Sequence, residues 1–364
     1  MYNENFMGLN GLLWFVGVVE DRNDPLRSGR VRVRILGSHS ADRNILPTAD
    51  LPWCSVMLPI TASGISGIGQ SAVGLLEGSW VVGYFRDGSM KQQPFIMGSL
   101  PGRPVELAES KGFYDPNLIY PRYKDEPDVN RLAVNLKNGE GNEMNPHLSL
   151  PLRRSTRITG IPTADFNTYT SAGGDIELGS DGSTWNQPEI PYNAVYPYNA
   201  VYESESGHLL EFDSSSTAQR IHLRHSTGTN IEMEPNGGRT DIIKADYNTL
   251  IKGISNTYVE NDTNLTIDGH YKVYLNKTGI ANNHYDIQVG PGANINILVE
   301  TGNINLVTTQ GKINLNSGGD TNMKIGGSLT IDVAGSLIQN VEGSTTENTT
   351  GAVIIRGSTI DLNP

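Results

Sequence analysis

Side chains alternate without a break along 30–35: Arg30, Arg32 and Arg34 fall on one side, Val31, Val33 and Ile35 on the other. A period of two is the pattern of a half-buried strand. The apolar run WFVGVVE precedes it across the turn residues Asn23-Asp24-Pro25 and Ser28-Gly29. Segments 51–60, 78–89 and 93–100 supply further strands, with Asp87-Gly88 as a hairpin-type turn. About five short strands in about 100 residues predict a small closed barrel, and an OB-fold fits that count. Residues 1–105 are therefore read as an OB-fold domain.

Between 106 and 195 the alternation dissolves into Pro-, Asn- and Gly-rich sequence such as DPNLIYPRYKDEPDVN and SAGGDIELGSDGSTWNQPEIP. No amphipathic helix series interrupts it. The segment reads as a long extended connector, which must run along other parts of the molecule or bridge two of them. Trp185, Tyr192, Tyr196 and Tyr198 are expected to anchor it by burying aromatic area.

From 196 to 364 the pattern becomes regular again. Strands are expected at Leu209–Phe212, Arg220–His225, Asn230–Glu234 and Thr240–Lys244, in a meander that leads into repeats. Beyond about residue 290 these shorten through ANINILVETG, NINLVTTQG and KINLNSGG to SLTIDVAG, SLIQNVEG and STTENTTG. Gly319, Gly327, Gly335, Gly343 and Gly351 recur every eight residues, and a fixed short period marks a solenoid-like array.

Each repeat places two or three aliphatic residues on one face: Ile295, Ile297 and Val299; Ile304 and Leu306; Ile313 and Leu315; Leu329, Ile331 and Val333. Their neighbours are Asn, Thr, Asp and Gln, so one face is made for a dry interior. Eight residues are too few to close a coil of one chain, and a lone chain would leave its apolar face and both strand edges open. Three identical chains winding about one axis solve the problem, because each strand then finds backbone partners in a neighbour and the aliphatic residues fill a central prism. Glycine at each corner is expected to let the backbone bend where a Cβ would clash. The fold class is thus all-β: an N-terminal OB-fold barrel, a long irregular connector and a C-terminal intertwined triple-stranded β-helix in a homotrimer.

Composition narrows the chemistry. No run of 18 apolar residues and no basic-then-apolar N-terminus exists, so neither a membrane span nor a signal peptide is expected. Cys54, the sole cysteine, has no disulfide partner and reads as a small core residue. The net charge of −12 is uneven: nine basic and eight acidic groups lie in 1–105, eight and thirteen in 106–195, ten and eighteen in 196–364. An acidic C-terminal half repels polyphosphate, so no nucleic-acid partner is expected.

The basic face of Arg30, Arg32 and Arg34 lacks stacking aromatics and is assigned to contact with an acidic neighbour, a hub or an adjacent subunit. SGISGIG (63–69) lacks the Lys-Ser/Thr of a phosphate-binding loop and reads as a flexible loop. His222 and His225 stand three apart on a strand, face opposite sides and read as surface positions rather than chelators. The seven histidines show no clustered ligand spacing, and no serine sits in a nucleophile-elbow motif. No catalytic residue, cofactor or metal is expected.

Three stretches carry a family resemblance: WFVGVVEDRNDPLRSGRVRVRILG (14–37), the run from Leu51 to Gly69 with its LPW and SGIG, and YPYNAVYESESGHLLEFDSSSTAQRIHLRHSTGT (196–229). They resemble the central spike, or baseplate hub, proteins of T-even-like contractile phage tails. Val333-Ala334-Gly335 and Val341-Glu342-Gly343 resemble that family's needle and the valine–glycine repeat spikes of type VI secretion. The resemblance implies a trimer below a baseplate hub ring, joined through its N-terminal domain, with a tip protein at the C-terminal end and transient contact with the host envelope. It implies location in the virion tail baseplate, assembled in the host cytoplasm. The T-even relative carries a lysozyme domain between these parts; here only 106–195 is available, with Glu140 and Glu143 in a Gly/Asn-rich loop, so muralytic activity is expected to be absent. Two rivals stand beside the structural reading. One is a polysaccharide-cleaving tailspike, for which Asp320, Asp332 and Glu342 are the available carboxylates; the other is an effector-delivering secretion spike.

Overall fold

The computed structural model describes residues 11–103, 113, 115–116, 127–130, 132–134, 175–186, 188, 191–275 and 284–361. The chain divides into two compact units, Met1–Lys272 and Val273–Pro364.

Within the first unit, β1 (Leu13–Asp21), β2 (Val31–Ile35), β3 (Trp53–Val56), β4 (Trp80–Phe85) and β5 (Pro94–Ser99) close a barrel in the order β1-β2-β3-β5-β4. All pairings are antiparallel except β3 with β5. The alternation in β2 does what its period demands: Val31, Val33 and Ile35 join Phe15, Val19, Cys54, Val81, Phe85 and Ile96 in the barrel core. Two glycines allow the strands to close. A Cβ at Gly83 would stand 2.1 Å from the Phe95 carbonyl oxygen and 2.7 Å from the Phe15 ring, and one at Gly17 would stand 2.5 Å from Val33. Neither strand position tolerates a side chain without backbone displacement.

The opposite face of β2 is not a basic surface, and here the expectation fails. Arg34 is wholly buried. Its guanidinium grips the Glu20 carboxylate at 2.5 and 2.9 Å and donates to the carbonyls of Ser40 (2.6 Å) and Leu46 (2.9 Å). Thr48 Oγ1 donates to Glu20 at 2.6 Å. The 38–50 segment lies over this face of the strand, so Arg34 is an internal tie between barrel and loop and not a contact with a hub or subunit.

A second sheet, in the order β12-β11-β10-β9-β8, is an antiparallel meander of β8 (Asn199–Glu203), β9 (Leu209–Asp213), β10 (Arg220–Arg224), β11 (Asn230–Met233) and β12 (Arg239–Ile242). Its burial is inverted. Glu211, Asp213, Arg220, His222, Arg224 and Glu232 are buried, while Leu210, Phe212, Ile221, Leu223 and Met233 are exposed. Arg220 bridges Glu211 (2.5 Å) and Glu232 (2.7 Å) and lies 4.8 Å over the Tyr192 ring. Asn199 donates to Glu211 at 2.7 Å and to the Leu132 carbonyl at 3.1 Å, and Tyr192 donates to the same carbonyl at 2.7 Å. The charged face is thus covered by residues 132–134 and 192–194 of the same chain. His222 is therefore no surface residue: it is buried with Nδ1 3.4 Å from Glu211.

The described parts of the connector include a small hairpin, β6 (Asp175–Glu177) with β7 (Thr184–Asn186). Of the four expected anchors Tyr192 alone is buried; Trp185, Tyr196 and Tyr198 are exposed. Glu140, Glu143 and His147 lie outside the described residues.

Candidate functional site

Among the described residues no strand is assigned beyond Ile242, yet the chain is far from featureless. In the first unit, bends fall at 244–245, 252–253, 260–261 and 268–269. In the second they fall at 300–302, 309–311, 318–319, 326–327, 334–335, 342–343 and 350–351. Between them no strand pairing forms among the described residues. Every described residue from 243 onwards is exposed.

All ten predicted core residues are among them: Ile295, Ile297, Val299, Ile304, Leu306, Ile313, Leu315, Leu329, Ile331 and Val333 keep between 42% and 87% of their surface open. Ile325, Val333 and Val341, eight residues apart, are the most sheltered large apolar residues of their octads, and even they keep 43%, 43% and 48%. One chain brings none of these side chains into a core. Each forgoes ~1.5–3 kcal/mol of burial, and the unpaired backbone forgoes its hydrogen bonds as well.

The corner glycines coincide with the bends. At Gly319, Gly327, Gly335, Gly343 and Gly351 a Cβ meets nothing within 4 Å, and none of them has a positive φ. No clash inside the single chain demands glycine there; the crowding expected at these corners has no source within one copy. Where the octad lacks an aliphatic residue before the bend, a hydroxyl takes its place and accepts a backbone N–H: Thr308 from Gly311 (3.0 Å), Ser317 from Gly319 (3.4 Å) and Thr349 from Gly351 (3.2 Å). These local turns hold the bend without help from outside the segment.

The remaining predicted positions divide differently. Arg30 chelates Asp24, with Nη2 at 2.6 Å, and Arg32 lies 4.6 Å over Trp53 while donating to the Thr48 carbonyl at 2.9 Å. Both are partly exposed, and both have partners inside the barrel. The Arg30 guanidinium, backed by Ser28 Oγ and the amides of Ser28 and Leu26, holds the Asp24 carboxyl far below the usual carboxylate range. A lowered carboxyl pKa stabilises the fold above the ordinary value and loses that contribution as pH falls through the lowered one. The β1–β2 turn is therefore expected to keep its amide protection at pH values where ordinary carboxylates are already protonated. Asp24→Asn should raise the exchange rate of the Ser28 amide about tenfold at neutral pH, read by hydrogen exchange.

Two contacts carried no signal in the sequence. Arg22, on the β1–β2 turn, pairs with Glu205 on the β8–β9 turn and lies 3.3 Å from Glu77, a carboxyl that burial pushes up. His225 packs against His208 with ring centroids 4.4 Å apart and the rings tilted by 48°, while each Nδ1 accepts a backbone N–H. Among the described residues no three His, Cys, Asp or Glu come together as a metal site would require. Asp320, Asp332 and Glu342 fall in three different octads, and His270 and His284 are exposed.

A family model described as the Gp5 N-terminal OB domain matches residues 37–168, taking in β3 to β5 of the barrel. Protein Gp5 of Vibrio phage KVP40 is 37% identical over 294 residues, which are 74% of this chain and 66% of that protein. The pre-baseplate central spike protein Gp5 of Enterobacteria phage T4 is 47% identical over 122 residues, 31% of this chain and 20% of that protein. The chain spans just under two thirds of the first relative and a fifth of the second.

Proposed function

From the premise that this chain carries the Gp5 N-terminal OB domain and is a homologue of the phage Gp5 central spike proteins, we propose that it is the central spike of a contractile tail baseplate. It acts as a homotrimer that pierces the host envelope by mechanical force. The observation that carries this reading is the octad array: segments bent every eight or nine residues, with every described aliphatic side chain open in the single chain.

Three such chains about one axis satisfy both deficits at once. Backbone N–H and C=O groups pair across chains, and the aliphatic rows meet in a dry prism. Load applied along the axis is then shared among many cross-chain hydrogen bonds, and the Asn, Thr and Asp surface stays hydrated against lipid. The barrel couples the prism to a hub ring protein, with the partly exposed Arg30 and Arg32 offered as contacts. The C-terminal octads present open strand edges to a tip protein. The work assigned to the chain is mechanical: no catalytic group is required of it, and no cofactor. Its place is the virion tail baseplate, assembled in the host cytoplasm.

Light scattering of the purified full chain tests the reading. The expected mass is three times the 39.5 kDa of one chain; a stable, folded species of one chain mass overturns it.

A further inference from the structure

The octads have an outward side as well as an inward one, and its character changes along the array. The fifth position of each octad stands between inward positions, so it faces away from the aliphatic rows. Counted from residue 246, that position holds Leu250, Tyr258, Thr266 and Tyr274, then Leu298 and Val307. Beyond them it turns polar, with Asn316, Lys324, Asp332 and Asn340. Leu250 (89%), Tyr258 (88%), Leu298 (78%) and Val307 (82%) stand open. A shaft that needs only to stay hydrated has no use for an apolar column on its outside. Thr266 is the one small polar side chain in that column, and it is engaged: its Oγ1 donates to the Glu177 carbonyl, 89 residues earlier, at 2.7 Å.

We infer that the connector hairpin β6–β7 is a strap for the root of the octad array, anchored at Thr266 and closing its apolar side chains over Tyr258 and Leu250 of the same chain. The outward assignment of this column rests on the trimer reading given above. Three observations select the hairpin as the occupant. First, the hydrogen bond from Thr266 already joins the two segments. Second, the hairpin needs a surface to lie on. It is a sheet of two three-residue strands, and such a pair is marginal by itself in water. Ile176 and Trp185 are paired directly across it, yet Trp185 and Leu178 each keep 37% of their surface open. Third, the charges agree. Residues 175–186 carry Asp175, Glu177 and Asp181 and no basic group, while the third and fifth positions of the first three octads, Asn248, Leu250, Asn256, Tyr258, Asn264 and Thr266, carry no charge at all. An acidic strap lies on them without repulsion.

The anchor is built to take a backbone edge. Leu178 donates to the Ser183 carbonyl at 2.8 Å next to the hairpin tip, so by the antiparallel alternation Glu177 and Thr184, the next pair, exchange no ladder bonds and the Glu177 carbonyl points out of the hairpin. A hydroxyl on a short side chain, set in a column of large ones, leaves a notch that admits such an edge and supplies the donor its carbonyl lacks. The strap then covers the apolar outside of the array at its root, where a shaft held at one end and loaded at the other bends most, and leaves the polar distal octads bare.

Cross-linking of the full-length protein tests this. Cys54 is buried in the barrel with its thiol pushed up to about 12 by burial, so it leaves a quiet background. Glu177→Cys, which keeps the anchoring carbonyl, is combined with Asn264→Cys beside the anchor and, separately, with Asn314→Cys at the same position of a distal octad. With a trimer mass measured on the same samples, a short bismaleimide should join positions 177 and 264 within one chain at least ~10-fold faster than positions 177 and 314. Equal rates on a trimer, or a product that joins two chains, overturn the strap and leave the trimer standing. A one-chain mass for the unsubstituted protein overturns both. A second measurement needs no cysteine: in the trimer, Tyr258→Ser should raise the hydrogen-exchange rate of the Leu178 amide about tenfold, and unchanged protection overturns the strap as well.

Discussion

Replacing Ile331 by aspartate is expected to abolish the trimer, whereas replacing Asp332, its immediate neighbour, by asparagine should leave mass and thermal stability unchanged. Adjacent residues on an extended strand face opposite sides, so the pair reads the interior and exterior of the same octad one residue apart. In the assembled prism a substitution at 331 occurs three times at one level of the axis. Each aspartate loses the ~1.5–3 kcal/mol of a buried isoleucine and adds a desolvation cost of several kcal/mol per ion. Like charges close to one axis repel further. The total exceeds the 5–15 kcal/mol that holds an ordinary domain together. Light scattering should report one chain mass, with rapid proteolysis of the 284–361 segment. Ile331→Val, by contrast, removes one methylene per chain at ~0.5–1.5 kcal/mol each and should lower the melting temperature while retaining the trimer. An Ile331→Asp protein with trimer mass and unchanged melting would place Ile331 outside the core and remove the octad argument with it.

That contrast between neighbouring residues is what the sequence conveys best. In β2, Val31, Val33 and Ile35 were legible as core because their period is unbroken, and the barrel confirms them. The octad bends were legible at Gly319, Gly327, Gly335, Gly343 and Gly351 because glycine recurs at a fixed interval. Alternation, however, states only that a strand has two faces. It does not state what covers each one. In β9 and β10 the polar face is the buried one, since residues 132–134, far away in sequence, and 192–194, just before the sheet, bring the Leu132 carbonyl and Tyr192 to Asn199 and Arg220. No local pattern encodes that choice. Arg34 fails for the same reason: its partners are a carboxylate on β1 and two loop carbonyls, and carbonyl positions are invisible in a sequence. The glycine corners show the opposite limit. Their position is legible, but the crowding that would require glycine is absent from one copy, and only the proposed trimer supplies a source for it.

The buried tie on β2 supplies the second large effect. Arg34→Ala should destabilise the barrel by ~3–5 kcal/mol, because Glu20 would be left charged and buried with only Thr48 as a side-chain donor, and because the Ser40 and Leu46 carbonyls would lose theirs. Glu20→Ala should cost a similar amount from the other side, stranding a guanidinium that can never deprotonate. Removing both charges together is a different experiment. Arg34→Met with Glu20→Met replaces an ion pair, whose desolvation consumed much of its attraction, by packed apolar volume, and the double variant should lie well above either single one in stability. The residual deficit in the double variant then measures what the two loop carbonyls were worth, on the order of 1–3 kcal/mol each. Denaturant melts followed at Trp53, which stacks under Arg32 on β3, would read all three variants. Losses of single Arg34→Met and Glu20→Met variants that add up in the double variant would show that Arg34 and Glu20 act independently, and would refute the account of Arg34 as an internal clamp between barrel and loop.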